Sequence, residues 1–279
     1  MEIILAKSAG FCFGVQRAVD MAFKTETSKK TYTLGHIIHN ETVMKQLADK
    51  GIESVEEIDD TPMDQVIIRA HGVPEVIYNE AKEKSVEVID ATCPYVTKIH
   101  KLVNRYEKEG YGIILIGDAK HPEIIGINGW TKKGCIIFKN KDEIDLSKLN
   151  REDNYLVVSQ TTYKKAVVDE MVAYIEEAGY KIKFINTICS ATSERQEEAR
   201  EIARKVECMI VIGSKLSSNT QKLYEICKQL CPNTYCIEDA SSLDTNWFLN
   251  IHKVGVTAGA STPSDVIAEV LGKPEQIDQ

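Results

Sequence analysis

The chain has 279 residues, of which 43% are hydrophobic and 27% are charged, so it is long enough to bury the core of a globular protein. Its formal net charge of −8 argues against nucleic-acid binding, which usually requires a basic surface. The initial MEIILAKSAGF is too short an apolar run for a signal peptide, and no stretch reaches the roughly 18 apolar residues of a membrane-spanning helix. We therefore expect a cytoplasmic protein, in which eight cysteines are more typical of metal ligands, catalytic groups or buried thiols than of disulfides.

Short apolar runs alternate along the chain with stretches in which apolar residues recur every three or four positions. The predicted strands cover residues 3–6, 66–70, 86–90, 112–117, 155–159, 181–186, 209–213 and 254–258. The predicted helices cover residues 14–26, 75–84, 95–109, 164–178, 192–206, 219–230 and 263–271. The charged segment 139–153 is interpreted as a surface connection. This alternation favours an α/β fold built from parallel β-α-β units.

Three cysteines share one local setting, in which a short apolar run precedes the cysteine and a helical pattern follows it. They are Cys12, Cys93 and Cys189, separated by 81 and 96 residues, with 90 residues after the last. The spacing divides the chain into three segments of similar length. We expect three α/β units, covering residues 1–92, 93–188 and 189–279.

Polar residues follow most of the predicted strands. Because ligands of open α/β sheets bind beyond the carboxyl ends of the strands, these residues are candidates for a binding site. They are His39, His71, His121, Glu123, Thr161, Ser217, Ser218, Asn219 and Ser261. If the three units pack around a common axis, the cysteines meet near it and these polar groups surround them.

Three thiolates from separate segments are compatible with a metal centre. Thiolates favour zinc, copper(I) or iron–sulfur clusters, and the paired C-x₂₋₄-C spacing common in structural zinc sites does not occur around Cys12, Cys93 or Cys189. A [4Fe–4S] cluster held by three cysteines leaves one iron open to a substrate, and its ligands need not be close in sequence. The alternative is three buried core cysteines, since free cysteine is often fully buried.

Around these positions the chain resembles the 4-hydroxy-3-methylbut-2-enyl diphosphate reductase family. The resemblance is carried by GFCFGVQRA, HNETV, AHGV, DATCPYVTK, HPE, SQTT, GSKLSSNT and VTAGAS, which occur in family order from residue 10 to residue 261. It implies three similar α/β units in a pseudo-threefold trefoil around a central iron–sulfur cluster.

The resemblance also implies roles for the candidate residues. It makes Cys12, Cys93 and Cys189 the ligands of a [4Fe–4S] cluster whose fourth iron is open to the hydroxyl oxygen of the substrate. The implied diphosphate-binding residues are His39, His71, Ser217, Ser218, Asn219 and Ser261. His121 would line the same pocket near the diphosphate and the reacting carbons, Glu123 would relay protons, and Thr161 would orient the alcohol.

The implied reaction is a reductive dehydroxylation. Two electrons and two protons would convert (E)-4-hydroxy-3-methylbut-2-enyl diphosphate to isopentenyl and dimethylallyl diphosphates. The implied electron donor is a reduced ferredoxin or flavodoxin, and we expect a monomer without nucleic-acid or membrane partners.

Several candidates also have purely structural interpretations. Ser217 or Ser218 is well placed as an N-cap of the helix at 219, and Glu123 as a carboxylate favoured by the first turn of a helix. Thr161 is close enough to the helix beginning near 164 to cap it. For these residues the family resemblance, not the spacing, favours a role in the site.

The remaining cysteines are interpreted as structural. Cys227, Cys231 and Cys236 form a C-x₃-C-x₄-C pattern, but the first belongs to an amphipathic helix and the last to a short strand, which argues against a second metal site. Cys135 and Cys208 resemble core or strand-edge residues.

Two other functions stay open from the sequence. An iron–sulfur dehydratase of the quinolinate synthase kind also joins three α/β units around three cysteines, but the diphosphate blocks are not expected in it. A non-catalytic iron–sulfur sensor predicts a partner or nucleic-acid surface, for which the acidic composition offers no support.

Overall fold

A computed structural model describes residues 1–58 and 62–275, which form twelve β-strands and nine α-helices. The strands are β1 (Glu2–Leu5), β2 (Thr31–Leu34), β3 (Glu53–Val55), β4 (Gln65–Ile68), β5 (Glu87–Asp90), β6 (Gly112–Ile116), β7 (Ile136–Phe138), β8 (Asn154–Ser159), β9 (Lys181–Phe184), β10 (Cys208–Ile212), β11 (Thr234–Ile237) and β12 (Lys253–Ala258). The helices are α1 (Phe13–Lys24), α2 (Glu41–Asp49), α3 (Glu75–Glu83), α4 (Pro94–Lys108), α5 (Pro122–Asn128), α6 (Lys165–Glu177), α7 (Ser190–Ala203), α8 (Ser218–Leu230) and α9 (Ser264–Glu275). Within these described ranges, no helix combines the length and the apolar character needed to cross a membrane.

The described strands form three sheets of four parallel strands with one common topology. Their orders are β3-β2-β4-β5, β7-β6-β8-β9 and β11-β10-β12-β1. In each sheet the first strand of a segment lies between the second and the third, and a fourth strand completes the edge. The predicted α/β fold with three similar units is confirmed.

The first strand of the chain completes the sheet of the last segment. β1 pairs in parallel with β12, with Ile3 opposite Val254 and Leu5 opposite Val256. The chain accordingly divides into two compact units, a central unit (Arg17–Ile188) and a terminal unit made of residues 1–16 with the chain from Cys189 onward. The unit boundaries at residues 93 and 189 stay a prediction.

The sheets are covered on both faces, as the apolar composition of their central strands requires. In β6, Ile114 and Ile116 pack into one buried cluster, while Ile113 and Leu115 pack into another. The alternation follows from the two-residue period of a strand. Full burial of each such side chain contributes about 1.5–3 kcal/mol.

Most predicted elements are present to within a few residues, but several short ones were missed. The sequence did not predict β2, β3 and β7, which have four, three and three residues, or the nine-residue helix α2. The seven-residue helix α5 was anticipated only by the first-turn interpretation of Glu123. The three-residue strands and the seven-residue helix contain too few residues to display a hydrophobic period. The segment 139–153 forms a largely exposed connection, as predicted, with 3₁₀ turns at Lys141–Glu143 and Leu146–Lys148.

The other cysteines lie in the helix, strand and core positions predicted for them. Cys227 is buried on α8 and packs with Cys231 in the core of the terminal unit, and Cys236 belongs to β11. Cys208 is fully buried in β10, whereas Cys135 is half-buried just before β7. Burial raises the pKa of the Cys227 thiol to about 12, which keeps it protonated and makes it a poor metal ligand.

Candidate active-site groups

Each of the three predicted ligand cysteines caps the N-terminus of a helix. Their backbone carbonyls accept the N–H of the residue four positions later: Gln16 for Cys12 at 2.9 Å, Thr97 for Cys93 at 3.0 Å and Ser193 for Cys189 at 3.1 Å. In every case the preceding strand is the fourth strand of its sheet, β1, β5 or β9. The predicted strand-to-helix setting is confirmed for all three. A helix N-terminus carries partial positive charge, which favours an anionic group beside it.

Two of these cysteines are tied by their backbone to a turn that carries a predicted diphosphate ligand. In the central unit the Cys93 N–H donates to the Ala70 carbonyl at 3.0 Å, directly before His71. In the terminal unit the Cys12 N–H donates to the Ala260 carbonyl at 3.3 Å, directly before Ser261. The same hydrogen bond therefore links a cysteine to the turn after the third strand in two of the three sheets.

His39, His71 and His121 form one cluster in the central unit. Their ring centroids are 4.6 Å apart for His39 and His71, 5.8 Å for His39 and His121, and 5.4 Å for His71 and His121. Burial, together with the neighbouring imidazoles, lowers the pKa of all three, that of His121 to about 4 and that of His71 well below its ordinary value. The free protein therefore holds three neutral imidazoles at pH 7.

The cluster contains polar atoms that lack a partner among the described residues. They include Nε2 of His39 and Nδ1 of His71, both buried. Buried polar atoms are normally hydrogen-bonded, so such atoms point to an acceptor-rich or donor-rich ligand. The tautomer of His121 follows from its contact, because its Nδ1 accepts the backbone N–H of Glu123 at 3.1 Å and its Nε2 then carries the proton.

Arg69 belongs to this cluster, and the sequence analysis did not identify it. It directly follows β4, and its charge helps to lower the pKa of each of the three imidazoles. Its Nε is buried without a hydrogen bond among the described residues. Gly35, with φ +65°, makes room for it, since a Cβ at that position would clash with Arg69 Nη1. Arg69 could have been identified from the sequence as a cationic residue at the end of an otherwise apolar strand.

The three imidazoles are also a group of potential metal ligands, with donor atoms within 4.8 Å of one another. A divalent cation there would be repelled by the nearby Arg69 guanidinium, whereas an anion would be attracted by it. The charge of Arg69 therefore favours an anion over a divalent cation at this cluster.

Glu123 and Thr161 form a buried pair beside His121. Glu123 is 2% exposed, and its Oε1 and Oε2 accept the N–H and the hydroxyl of Thr161 at 2.6 and 2.7 Å. Burial raises the pKa of Glu123 to about 7, although the two bonds from Thr161 act in the opposite direction. Glu123 lies in the first turn of α5, as the sequence suggested, but Thr161 does not cap α6, whose N-cap is Lys164. A carboxyl group with this pKa exchanges a proton readily near neutral pH.

The terminal unit holds the second set of predicted diphosphate ligands. Ser217 is the N-cap of α8, and its hydroxyl accepts the N–H of Thr220 at 3.4 Å, so the expected cap is present. Asn219 is 4% exposed, and neither atom of its side-chain amide has a hydrogen bond among the described residues. Ser218 follows the cap in the first turn of α8, and Ser261, 7% exposed, follows β12. An unpaired buried amide at a helix N-terminus is well suited to an anionic ligand.

The loops after the first strand of each sheet repeat one pattern, which the sequence analysis also missed. Gly35, Gly117 and Gly213 each donate their N–H to the last carbonyl of the neighbouring second strand, at 2.7, 2.9 and 2.8 Å. The loop sequences are LGHIIHNE, IGDAKHPE and IGSKLSSN. Counting from the glycine, His39, His121 and Ser217 share one position, and Glu41, Glu123 and Asn219 share another. A search for internal repeats would have aligned these loops.

A buried acid and a neutral imidazole cluster beside a cation, on a three-sheet α/β fold, are features suited to an enzyme that acts on an anionic substrate. Residues 3–274 match the family model described as LytB protein. The chain belongs to the LytB protein family.

Relatives of known name cover nearly the whole chain. It is similar to the 4-hydroxy-3-methylbut-2-enyl diphosphate reductase of Alkaliphilus oremlandii, with 46% identity over 98% of this chain and 99% of the relative. The reductase of the same name from Clostridioides difficile is also 46% identical, over 97% and 98% of the two chains.

Two solved structures are similar as well. The E-1-hydroxy-2-methyl-but-2-enyl-4-diphosphate reductase from Plasmodium falciparum matches with a TM-score of 0.90 and 30% identity, covering 100% of this chain and 88% of that one. A structure of (E)-4-hydroxy-3-methyl-but-2-enyl diphosphate reductase, described as the terminal enzyme of the non-mevalonate pathway, matches with a TM-score of 0.73 and 40% identity over 99% and 100% of the chains.

Proposed function

We propose that this chain is a 4-hydroxy-3-methylbut-2-enyl diphosphate reductase that converts its substrate to isopentenyl and dimethylallyl diphosphates. The observation that carries the proposal is the double role of His121. It belongs to the cluster of imidazoles beside Arg69, and its Nδ1 binds the backbone of the buried acid Glu123. Anion recognition and proton supply therefore share one side chain.

Polar groups of the imidazole cluster, of the first turn of α8 and of the turn after β12 are proposed to bind the diphosphate. A diphosphate has many acceptor oxygens, and imidazole N–H, hydroxyl and amide groups supply donors for them. We assign this role to His39, His71, His121, Ser217, Ser218, Asn219 and Ser261, and we add Arg69 because its buried Nε has no hydrogen-bond partner in the described part of the chain. Arrival of the diphosphate would raise the pKa of the imidazoles and strengthen their hydrogen bonds.

Glu123 and Thr161 are proposed to handle protons. Reductive dehydroxylation consumes two electrons and two protons and releases one water. Because Oε2 of Glu123 lies 2.7 Å from the Thr161 hydroxyl, a protonated Glu123 can pass a proton to that oxygen while the hydroxyl hydrogen moves on to the substrate. The same Thr161 hydroxyl is proposed to orient the alcohol group of the substrate.

The cofactor is proposed to be a [4Fe–4S] cluster bound by Cys12, Cys93 and Cys189. Two features of the chain fit such a group: each cysteine lies at a helix N-terminus, and the buried Arg195 has an Nη1 without a hydrogen-bond partner among the described residues. When bound, the cluster supplies electrons one at a time and Lewis acidity towards the hydroxyl group of the substrate.

The electron donor is proposed to be a small acidic carrier protein, a ferredoxin or flavodoxin. A groove of about 690 Å³ in the central unit supports this, since its lining includes Arg17, Lys98, Lys101 and Arg105 on a chain with net charge −8. Thr92 and Pro94, on either side of Cys93, also line it. Opposite charges across an interface speed association and select the partner. We further propose that the enzyme works in the cytoplasm as a monomer.

An anaerobic assay tests the reaction. Purified cluster-loaded protein is expected to consume the hydroxymethylbutenyl diphosphate only when reduced methyl viologen is present. Turnover without a reductant would instead favour a dehydratase of the quinolinate synthase kind, and no turnover at all would favour a sensor. The names of the relatives favour the reductase over both alternatives.

Mössbauer spectroscopy tests the ligand set. Wild-type protein prepared without oxygen is expected to show a cubane cluster that is lost or degraded in Cys93→Ser. The matched control is Cys227→Ser, which changes a buried thiol of the core and is expected to leave the spectrum unaltered.

A further inference from the structure

Helix α7 holds the loop before Cys12 through two side chains one turn apart. The Glu198 carboxylate accepts the backbone N–H of Lys7 at 2.8 Å, and the backbone N–H and hydroxyl of Ser8 at 2.9 and 2.5 Å. Arg195 approaches the same loop from its carbonyl side. Its Nε donates to the Ser8 carbonyl at 2.9 Å, and its Nη2 donates to the carbonyls of Ser8 and of Gly10, the latter at 2.7 Å. Glu198 thus accepts hydrogen bonds from the N–H and O–H groups of the loop, and Arg195 donates hydrogen bonds to its carbonyls.

The held segment leads directly to Cys12 and has little freedom. Gly10 has φ +99°, and a Cβ there would lie 3.2 Å from Ile267 Cδ1 and 3.4 Å from the Thr262 carbonyl oxygen. The Cys12 N–H is fixed in turn on the Ala260 carbonyl. Because α7 begins at its cap Cys189, one helix links two of the three proposed ligand cysteines within the terminal unit.

One group of Arg195 is left over after these contacts. The side chain is 3% exposed, and its Nη1 has no hydrogen-bond partner among the described residues. Burial lowers the pKa of the guanidinium, while the nearby thiol groups of Cys12 and Cys189 act to raise it. An arginine stays protonated under such conditions, so a cation with an unused donor lies near the side chains of Cys12 and Cys189.

We propose that Arg195 is a positioning residue that holds Cys12 and Cys189 as a pair, and that its unused N–H and positive charge stabilise the reduced form of the cluster they bind. The inference rests on the cluster of the proposed function. A fixed positive charge in a buried setting favours the more negative redox state, so it raises the reduction potential.

The experiment compares Arg195→Gln and Arg195→Lys with the wild type and with Arg204→Gln, which removes an exposed charge at the end of the same helix. Iron content and the midpoint potential are measured by anaerobic reconstitution and by redox titration followed by electron paramagnetic resonance. In Arg195→Gln the equilibrium constant for one-electron reduction is expected to fall about tenfold, equivalent to about 59 mV.

Arg195→Lys separates charge from position. Lysine keeps the charge but loses the planar set of donors, so its potential is expected near that of the wild type while its iron content falls. An Arg195→Gln protein with wild-type iron content and wild-type potential would overturn the inference, as would an Arg195→Lys protein with the same lowered potential as Arg195→Gln. A wild type that assembles no cluster would instead overturn the proposed function, which keeps the two failures distinct.

Discussion

Both carboxylate oxygens of Glu123 are bound by one residue, Thr161, through its backbone N–H and its hydroxyl. The pair is buried, and among the described residues no cation lies in contact with Glu123, so burial dominates its titration and raises its pKa to about 7. At neutral pH the Glu123 carboxyl group is therefore protonated in a substantial fraction of the molecules.

Replacing Glu123 with glutamine tests the proton role. Glu123→Gln keeps the shape of the side chain but removes the exchangeable acid proton, so we expect kcat with methyl viologen to fall by about 10²–10⁴-fold. The control is Glu41→Gln, which changes the equivalent loop position in another sheet. The Glu41 side chain is exposed, and its Oε1 lies 3.7 Å from Nδ1 of His36. Equal activity of Glu123→Gln and wild type would contradict the assignment.

The buried acid also makes stability depend on pH. The folded-state pKa of Glu123, about 7, exceeds its ordinary value of 4.5, so folding holds a proton that the unfolded chain releases. The contribution of Glu123 to the free energy of unfolding is therefore fully present below pH 4.5 and is lost as the pH rises through 7. Measured by urea unfolding, wild type is expected to lose about 3 kcal/mol relative to Glu123→Gln between pH 4 and pH 8. The histidines are common to both proteins, so their opposite contributions cancel; a constant difference would refute the predicted pKa.

Gly35 is predicted to control the position of Arg69. In Gly35→Ala the new methyl group would displace the guanidinium, and the loss of one charge-assisted contact should raise KM for the diphosphate substrate about tenfold or more. Gly51→Ala is the control, because Gly51 also has a positive φ, +89°, but nothing lies within 4 Å of a Cβ there. If both substitutions change KM alike, backbone strain and not Arg69 explains the effect.

Reversing two charges tests the groove beside Cys93. Lys98→Glu with Lys101→Glu is expected to lower kcat/KM for a reduced acidic carrier by at least about tenfold and to weaken its dependence on salt. Turnover with methyl viologen, a small cation, should stay near the wild-type rate. Lys45→Glu with Lys148→Glu makes the same change in net charge at exposed positions that do not line the groove. Equal losses in both double variants would mean that overall charge, not the groove, matters.

Local patterns predicted those parts of the molecule that local physics determines. Except for β2, the interior strands of the sheets were recognised because they are continuous apolar runs, and the capping cysteines because each separates such a run from a helical period. β3 and β7 were missed because a strand of three residues is defined by its partner and not by its own sequence.

Non-local relationships were beyond the sequence. That β1 belongs with β12 depends on pairing between segments about 250 residues apart, which no short pattern encodes. Arg69 was missed because its importance arises from the three imidazoles around it. The three histidines were predicted as strand-end residues, but the sequence did not show that their rings contact one another.

The hydrogen bond from Cys12 to Ala260 bears on how the protein is made. The first proposed ligand to leave the ribosome acquires its final backbone partner almost last, after residue 260 has been synthesised. Until then β1 also lacks β12, the strand it pairs with. We therefore expect insertion of the proposed cluster to follow synthesis of nearly the whole chain, and a nascent protein truncated before β12 to keep Cys12 as a thiol without its final backbone hydrogen bond.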